Sequence, residues 1–164
     1  MHANLFSILS IPQSFDINLQ TLESAYFAAQ RQHHPDRFIG KPDAERLKAL
    51  QQSADINKAY ETLKSPLKRA QYLLHLKGIT VGTEQDSVKP SPALLTEIME
   101  LRERIAETPK DKLGELNDSL DKMIQRSIKI LGNNYMYAQW NEMAQETLRL
   151  GYIVKAIEEL RRKK

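Results

Sequence analysis

Apolar residues return at three- and four-residue spacing along almost the whole of this chain, and prolines punctuate the pattern. That spacing builds one face of an α-helix, and no stretch shows the alternation of a half-buried strand. The expectation is an all-α protein. A short first helix covers Leu5 to Leu9 and ends near Pro12. The second starts after Asn18, a suitable N-cap, and ends at His34-Pro35-Asp36. The third runs from about Pro42 to Leu63, with Leu47, Leu50, Ile56, Tyr60 and Leu63 marking its buried side. Ser65-Pro66 then restarts a helix, which carries Leu67, Ala70, Leu73 and Leu74 to Gly78.

Residues 78–90, with Gly78, Gly82 and Pro90, read as a linker or a well-packed connection. Beyond it, Ser91-Pro92 opens a helix to about Glu107, and Pro109 opens another to about Leu131. Gly132-Asn133-Asn134 supplies a turn, and a last helix follows to the end of the sequence. Three helices with short connections suggest an antiparallel three-helix bundle. The expected division is therefore 1–77, a connection over 78–90, and a bundle over 91–164.

Composition narrows the function classes. A hydrophobic fraction of 41% beside 27% charged residues is ordinary for a folded globular protein. No apolar run approaches the roughly 20 residues that span a bilayer, and the first residues lack the pattern of a signal peptide. A cytoplasmic protein without a membrane partner is expected. The absence of cysteine removes disulfides, thiolate zinc sites and cysteine-ligated clusters. His33 and His34 are adjacent, but sequence neighbours on a helix diverge, so no metal site and no cofactor is expected. The net charge of +3 is spread evenly along the chain. Only Arg161-Arg162-Lys163-Lys164 concentrates it, and cations there suit a helix C-terminus, so no nucleic-acid partner is expected.

The chemistry gathers at His34-Pro35-Asp36. Proline fixes its own φ and disfavours helical geometry in the residue before it, so Pro35 ends the second helix at His34. The stiffened turn projects an imidazole and a carboxylate, flanked by Arg31 and Arg37. A preorganised turn loses little entropy on docking, and Asp36 can pair with an arginine of a partner. The pattern Tyr26…Gln30-Arg31-Gln32-His33-His34-Pro35-Asp36-Arg37-Phe38 resembles the second helix and loop of a J-domain. The run Ile56-Asn57…Ala59-Tyr60…Leu63…Pro66…Arg69-Ala70…Tyr72 resembles the third helix and its exit. J-domains dock on DnaK-type chaperones and trigger their ATP hydrolysis.

General-purpose J-proteins often continue into a Gly/Phe-rich or cysteine-rich region, which this chain lacks. Instead it carries a helical tail, and the chain resembles the HscB family, J-type co-chaperones of iron–sulfur cluster assembly. The likeness is detailed at Gln51-Gln52-Ser53-Ala54-Asp55-Ile56-Asn57, Arg69-Ala70-Gln71-Tyr72-Leu73-Leu74 and Glu100-Leu101-Arg102-Glu103. It implies an N-terminal J-domain, a helical hairpin with accessory helices, in front of the three-helix bundle. It implies two partners, a DnaK-type chaperone ATPase (HscA-like) and an iron–sulfur cluster scaffold protein (IscU-like). Arg31, His34, Pro35, Asp36, Arg37 and Asn57 would bind the chaperone. The absence of the N-terminal extension and paired cysteines that mitochondrial relatives can carry favours a bacterial source.

The tail also has residues without a packing duty. On the helix from Pro92, Leu94, Ile98, Leu101 and Ile105 fall on one side, enough for a bundle seam. Thr96, Met99, Glu100 and Glu103 fall opposite, with Leu95 at the boundary. On the last helix Met136, Trp140, Met143, Thr147, Leu150, Val154 and Ile157 follow the seam, and Tyr152 lies well off it. Methionine is adaptable and suits recognition surfaces. The resemblance assigns Leu95, Thr96, Met99, Glu100, Glu103 and Tyr152 to scaffold binding. Thr96 replaces a larger apolar residue of relatives, and Tyr152 a phenylalanine that some use.

Two other readings stay open on the sequence. One keeps the J-domain with general folding clients; the other is a helical nucleic-acid adaptor using the basic C-terminus. An enzyme is not expected, since no nucleophile–base pair, phosphate-cradling loop or metal cluster can be assembled.

Overall fold

The computed structural model describes residues 4–83 and 85–163, without the side chain of Lys163. Lys164 of the basic tail and Glu84 of the expected connection lie outside them. Helices start where capping chemistry allows. Asn4 accepts the Phe6 N–H at 2.9 Å to open α1 (Leu5–Ile8), and Asn18 accepts the Thr21 N–H at 3.1 Å to open α2 (Leu19–His33). A 3-10 turn, Pro35–Phe38, leads to α3 (Asp43–Lys64), and Ser65 with Pro66 starts α4 (Pro66–His75). The Ser91 hydroxyl accepts the Leu94 N–H at 3.2 Å at the head of α5 (Pro92–Glu107). A 3-10 turn, Lys110–Lys112, precedes α6 (Leu113–Met136), and α7 (Trp140–Lys163) closes the chain. Among the described residues there is no strand. The chain divides into two compact units, Met1–Arg69 and Ala70–Lys164.

In the first unit α2 and α3 form a hairpin on which α1 packs, around Phe6, Phe15, Leu22, Ile56, Ala59 and Leu63. The buried stripe of α3 departs from the expectation. Leu47 and Leu50 are 68% and 57% exposed, while Ala49 and Ser53 are buried with Ile56, Ala59 and Leu63. Residues 49, 53, 56, 59 and 63 keep three- and four-residue steps, with small side chains at 49, 53 and 59, and Leu47 stands about 160° away from Ala49 at 100° per residue. Small residues there let α2 approach closely, so apolar size misidentified the face.

Arg69 closes this unit. It is 5% exposed, donates from Nε to the Leu63 carbonyl at 2.9 Å and from Nη1 to the Phe15 carbonyl, and lies 5.2 Å from the Phe15 ring centre. Burial pushes its pKa down and Asp16 pulls it back up; the guanidinium remains charged at neutral pH.

In the second unit α5, α6 and α7 form an antiparallel bundle in which α7 packs on both other helices. Leu94, Ile98, Leu101 and Ile105 supply the seam of α5, and Leu116, Leu120, Leu131, Met143, Leu150, Ile153, Ile157 and Leu160 fill the rest. Two expectations are corrected. Helix α6 continues through Gly132, Asn133 and Asn134 to Met136, with Gly132 and Asn134 buried. Packing against α7 selects small residues on that side and outweighs their low helix propensity. The turn comes later, at Ala138 with φ +53°, where the Gln139 N–H reaches the Asn134 carbonyl at 2.8 Å. Met136 accordingly ends α6, 67% exposed, instead of joining the seam of α7. Trp140 and Val154 are half-buried.

The segment from Ile79 to Pro90 is knit by its own polar groups. Asp86 accepts the backbone N–H groups of Gly82 at 2.8 Å and Thr83 at 2.6 Å, and Ser87 accepts the Thr80 N–H at 2.8 Å. Desolvation pushes the Asp86 carboxyl up, but the Thr83 and Gly82 N–H groups, the Thr83 hydroxyl and Lys89 outweigh it and leave the pKa below the ordinary 3.8. A depressed carboxylate contributes stability that is complete above its unfolded value and is lost as pH falls through the folded one. Protection of the Gly82 and Thr83 amides, taken relative to the intrinsic exchange rate at each pH, is therefore expected to hold down to about pH 4 and to fall below it, with Asp86→Ala unprotected at every pH. Protection independent of Asp86 would show that the backbone alone holds this loop.

Candidate functional site

The proline rule acts visibly at the hairpin turn. His34 takes φ −61° and ψ 130°, the extended geometry required before Pro35, and α2 stops one residue earlier. His34 caps the 3-10 turn: Nδ1 accepts the Asp36 N–H at 3.3 Å, which leaves the ring proton on Nε2 for an outside acceptor. The Asp36 Oδ2 lies 3.5 Å from the same nitrogen, and the two side chains are 52% and 78% exposed. Arg37 donates from Nη1 to the Arg31 carbonyl at 2.6 Å, satisfying an acceptor at the C-terminus of α2. Arg31 and Arg37 are both exposed and Pro35 is half-buried. These five residues therefore share one rigid turn.

Asn57 stands apart from that cluster in the duty it performs. Its Oδ1 accepts both the Tyr26 hydroxyl at 3.0 Å and Gln30 Nε2 at 2.6 Å. Gln30 also accepts the Ser53 hydroxyl at 3.0 Å, and the Tyr26 ring stacks on Tyr60 at 4.3 Å. Tyr26 and Gln30 on α2, and Ser53 and Asn57 on α3, thus brace the hairpin one to two turns from the tripeptide. The bracing pairs were not foreseen, although each is an i, i+4 pair, the spacing that places two side chains on one helix face.

The second candidate surface lies on α5. Leu95 and Met99 are 47% and 64% exposed, and Thr96, Glu100 and Glu103 are exposed too. The Thr96 hydroxyl is turned back on the helix, donating to the Pro92 carbonyl at 3.1 Å. Tyr152, half-buried on α7, lines a shallow groove with Leu101, Arg102, Ile105 and Lys155. At 100° per residue, Leu95, Met99 and Arg102 form the stripe of α5 beside that groove, and Thr96, Glu100 and Glu103 lie farther round from it. The structure therefore sets Tyr152 in a groove with Arg102, which by helical spacing shares a stripe with Leu95 and Met99. Arg102 belongs to the same stripe, seven residues after Leu95, and was not among the residues expected there.

No metal-ligating group of three or more His, Asp or Glu side chains exists among the described residues, and none of their helices is long and apolar enough to cross a membrane.

Comparison with known proteins agrees with both halves of this architecture. Residues 4–72 match the family model described as the DnaJ domain, and residues 90–161 match that described as the HSCB C-terminal oligomerisation domain. The chain is 35% identical to the co-chaperone protein HscB of Proteus mirabilis, over 94% of this chain and 92% of that protein. It is 44% identical to the HscB homolog of Burkholderia thailandensis over 72% of this chain and 67% of that one. Among solved structures, chaperone HscB from Vibrio cholerae superposes with a TM-score of 0.84 at 32% identity, covering 98% and 97% of the two chains. The human co-chaperone protein HscB gives 0.89 at 26% identity, covering 98% and 82%. A J-type turn on a braced hairpin, a helical bundle later in the chain, and relatives alike over nearly the whole length lead to one conclusion: the chain belongs to the HscB family of co-chaperones.

Proposed function

We propose that this co-chaperone captures an IscU-like iron–sulfur cluster scaffold on α5 and α7 and presents it to an HscA-like chaperone of the DnaK type, whose ATP hydrolysis it stimulates. The functional modules are 1–77 and 91–164, joined by 78–90. The observation that carries the reading is the outward imidazole and carboxylate of His34 and Asp36 on a proline-stiffened turn. Arg31, Pro35 and Arg37 complete that docking surface. Asn57 supports it indirectly by keeping α2 and α3 together. Leu95, Met99 and Tyr152 give the scaffold site its apolar contact, Glu100 and Glu103 select basic surface, and Thr96 contributes little because its hydroxyl is engaged.

The protein acts without a catalytic group of its own. It shifts the chaperone toward a hydrolysis-competent conformation, which requires tighter binding to that conformation than to the others. Holding both partners on one chain raises the effective concentration of scaffold at the chaperone and makes delivery selective.

Pull-down of cluster-free IscU-type scaffold tests the docking face. Met99→Ala combined with Tyr152→Ala removes an exposed and a half-buried anchor and is expected to cost about 3 kcal/mol, roughly a hundredfold in affinity. Equal recovery by wild type and the double variant would reject the face and leave a J-domain co-chaperone with other clients.

A further inference from the structure

Directional contacts, as well as apolar packing, hold α5 in place, and those at its first two turns include a set from two neighbouring turns of α7. The Gln145 side chain accepts the Ser91 N–H at 2.9 Å and donates to the Lys89 carbonyl at 2.8 Å, so it grips the chain on both sides of the entrance to α5. One turn later, Arg149 reaches Glu97 Oε2 from Nε at 3.1 Å and from Nη2 at 3.0 Å. The guanidinium is itself held from behind, because Nη1 donates to Oε2 of Glu146, whose side chain is only 5% exposed. Arg149 is thereby preorganised and loses little freedom in pairing with Glu97.

Two fixed points on a helix determine more than its proximity. Ser91 and Glu97 are six residues apart, about 9 Å along the axis, so gripping both sets the axial register and the rotation of α5. The apolar seam alone specifies these weakly, because hydrophobic attraction has no direction. Rotation matters at the docking face: Leu95 sits only about 60° from Ile98 in projection, so a modest roll of α5 would bury Leu95 or turn the Leu95–Met99 stripe out of reach of a partner.

We propose that Gln145 and Arg149 are positioning residues for scaffold binding, a polar clasp on α7 that fixes the rotation of α5 and so the presentation of Leu95 and Met99. The inference rests on the docking reading above and adds residues that touch no scaffold. In the full chain, Arg149→Met is expected to weaken capture of cluster-free IscU-type scaffold about tenfold and Gln145→Met about threefold, with Arg149→Lys recovering part of the loss. Both apolar variants should speed amide exchange over residues 92–99. Combined with Met99→Ala, Arg149→Met should cost less than the sum of the single effects, since each spoils the same face.

Unchanged affinity despite faster exchange would overturn the proposal. So would strict additivity with Met99→Ala, or a loss no greater than that of Leu160→Ala, which empties the bundle core away from the clasp. If Arg149→Met does not fold, Gln145→Met decides alone, because it leaves the Arg149–Glu146 pair intact. Normal capture by Met99→Ala with Tyr152→Ala would instead remove the docking reading itself, a distinct result.

Discussion

His34→Gln is expected to bring the ATP turnover of a DnaK-type chaperone, measured with the scaffold protein present, down to its unstimulated rate. Scaffold capture should be retained, because His34 belongs to the first compact unit and the docking face to the second. A glutamine amide oxygen can still accept the Asp36 N–H, so the turn is expected to survive. What disappears is the flat imidazole with its outward Nε2, whose Nδ1 lies 3.5 Å from the Asp36 carboxylate. Every tenfold in stimulated rate corresponds to about 1.4 kcal/mol of interaction made only in the activated complex. A loss of a hundredfold therefore asks about 3 kcal/mol of one ring and its neighbouring carboxylate, within the range of a central interface residue. Asp36→Asn should act in the same direction, because a neutral amide loses the charged, bidentate pairing open to a carboxylate. Full stimulation by His34→Gln would remove the turn from the mechanism.

Arg69→Ala is expected to give the largest loss of stability in the molecule, about 3–4 kcal/mol by urea titration followed through helical signal. The side chain is 5% exposed and its donors reach the carbonyls of Leu63 and Phe15. Hydrogen bonds to a charged group contribute about 1.5–3 kcal/mol each, and truncation leaves both carbonyls without that partner. The packing over Phe15, with the guanidinium carbon 5.2 Å from the ring centre, goes too. Arg69→Lys should lose about half as much, since a single ammonium lacks the planar fork that spans two acceptors. A change under about 1 kcal/mol would mean that desolvation of the buried cation cancels its hydrogen bonds.

Most element boundaries were legible because capping and proline rules are local. Asn18, Ser65-Pro66 and Ser91-Pro92 mark helix starts in the structure as they do in the sequence. The tripeptide was legible for the same reason: Pro35 dictates the geometry of His34 without help from distant residues. The seam of α5 was legible because Leu94, Ile98, Leu101 and Ile105 are all large and all buried.

Errors arose where small or polar residues carry the packing. Ala49 and Ser53 make the buried edge of α3 that Leu47 and Leu50 appeared to mark, and Gly132 to Asn134 remain helical where a turn was expected. In both places a neighbouring helix sets the outcome, and local propensity is too weak to resist it.

The sequence by itself determined the helical class, the position and stiffness of the His34-Pro35-Asp36 turn, and the likeness to HscB co-chaperones, because these follow from residue order over a few turns. Tertiary structure alone decided that Arg37 ends α2 on the Arg31 carbonyl, that Asn57 locks Tyr26 and Gln30, that Arg69 spans 54 residues to Phe15, and that Gln145 and Arg149 grip α5. Such contacts join groups whose separation along the chain carries no periodic signal. A hydrogen bond depends on where two atoms finally lie, and only the packed chain fixes that.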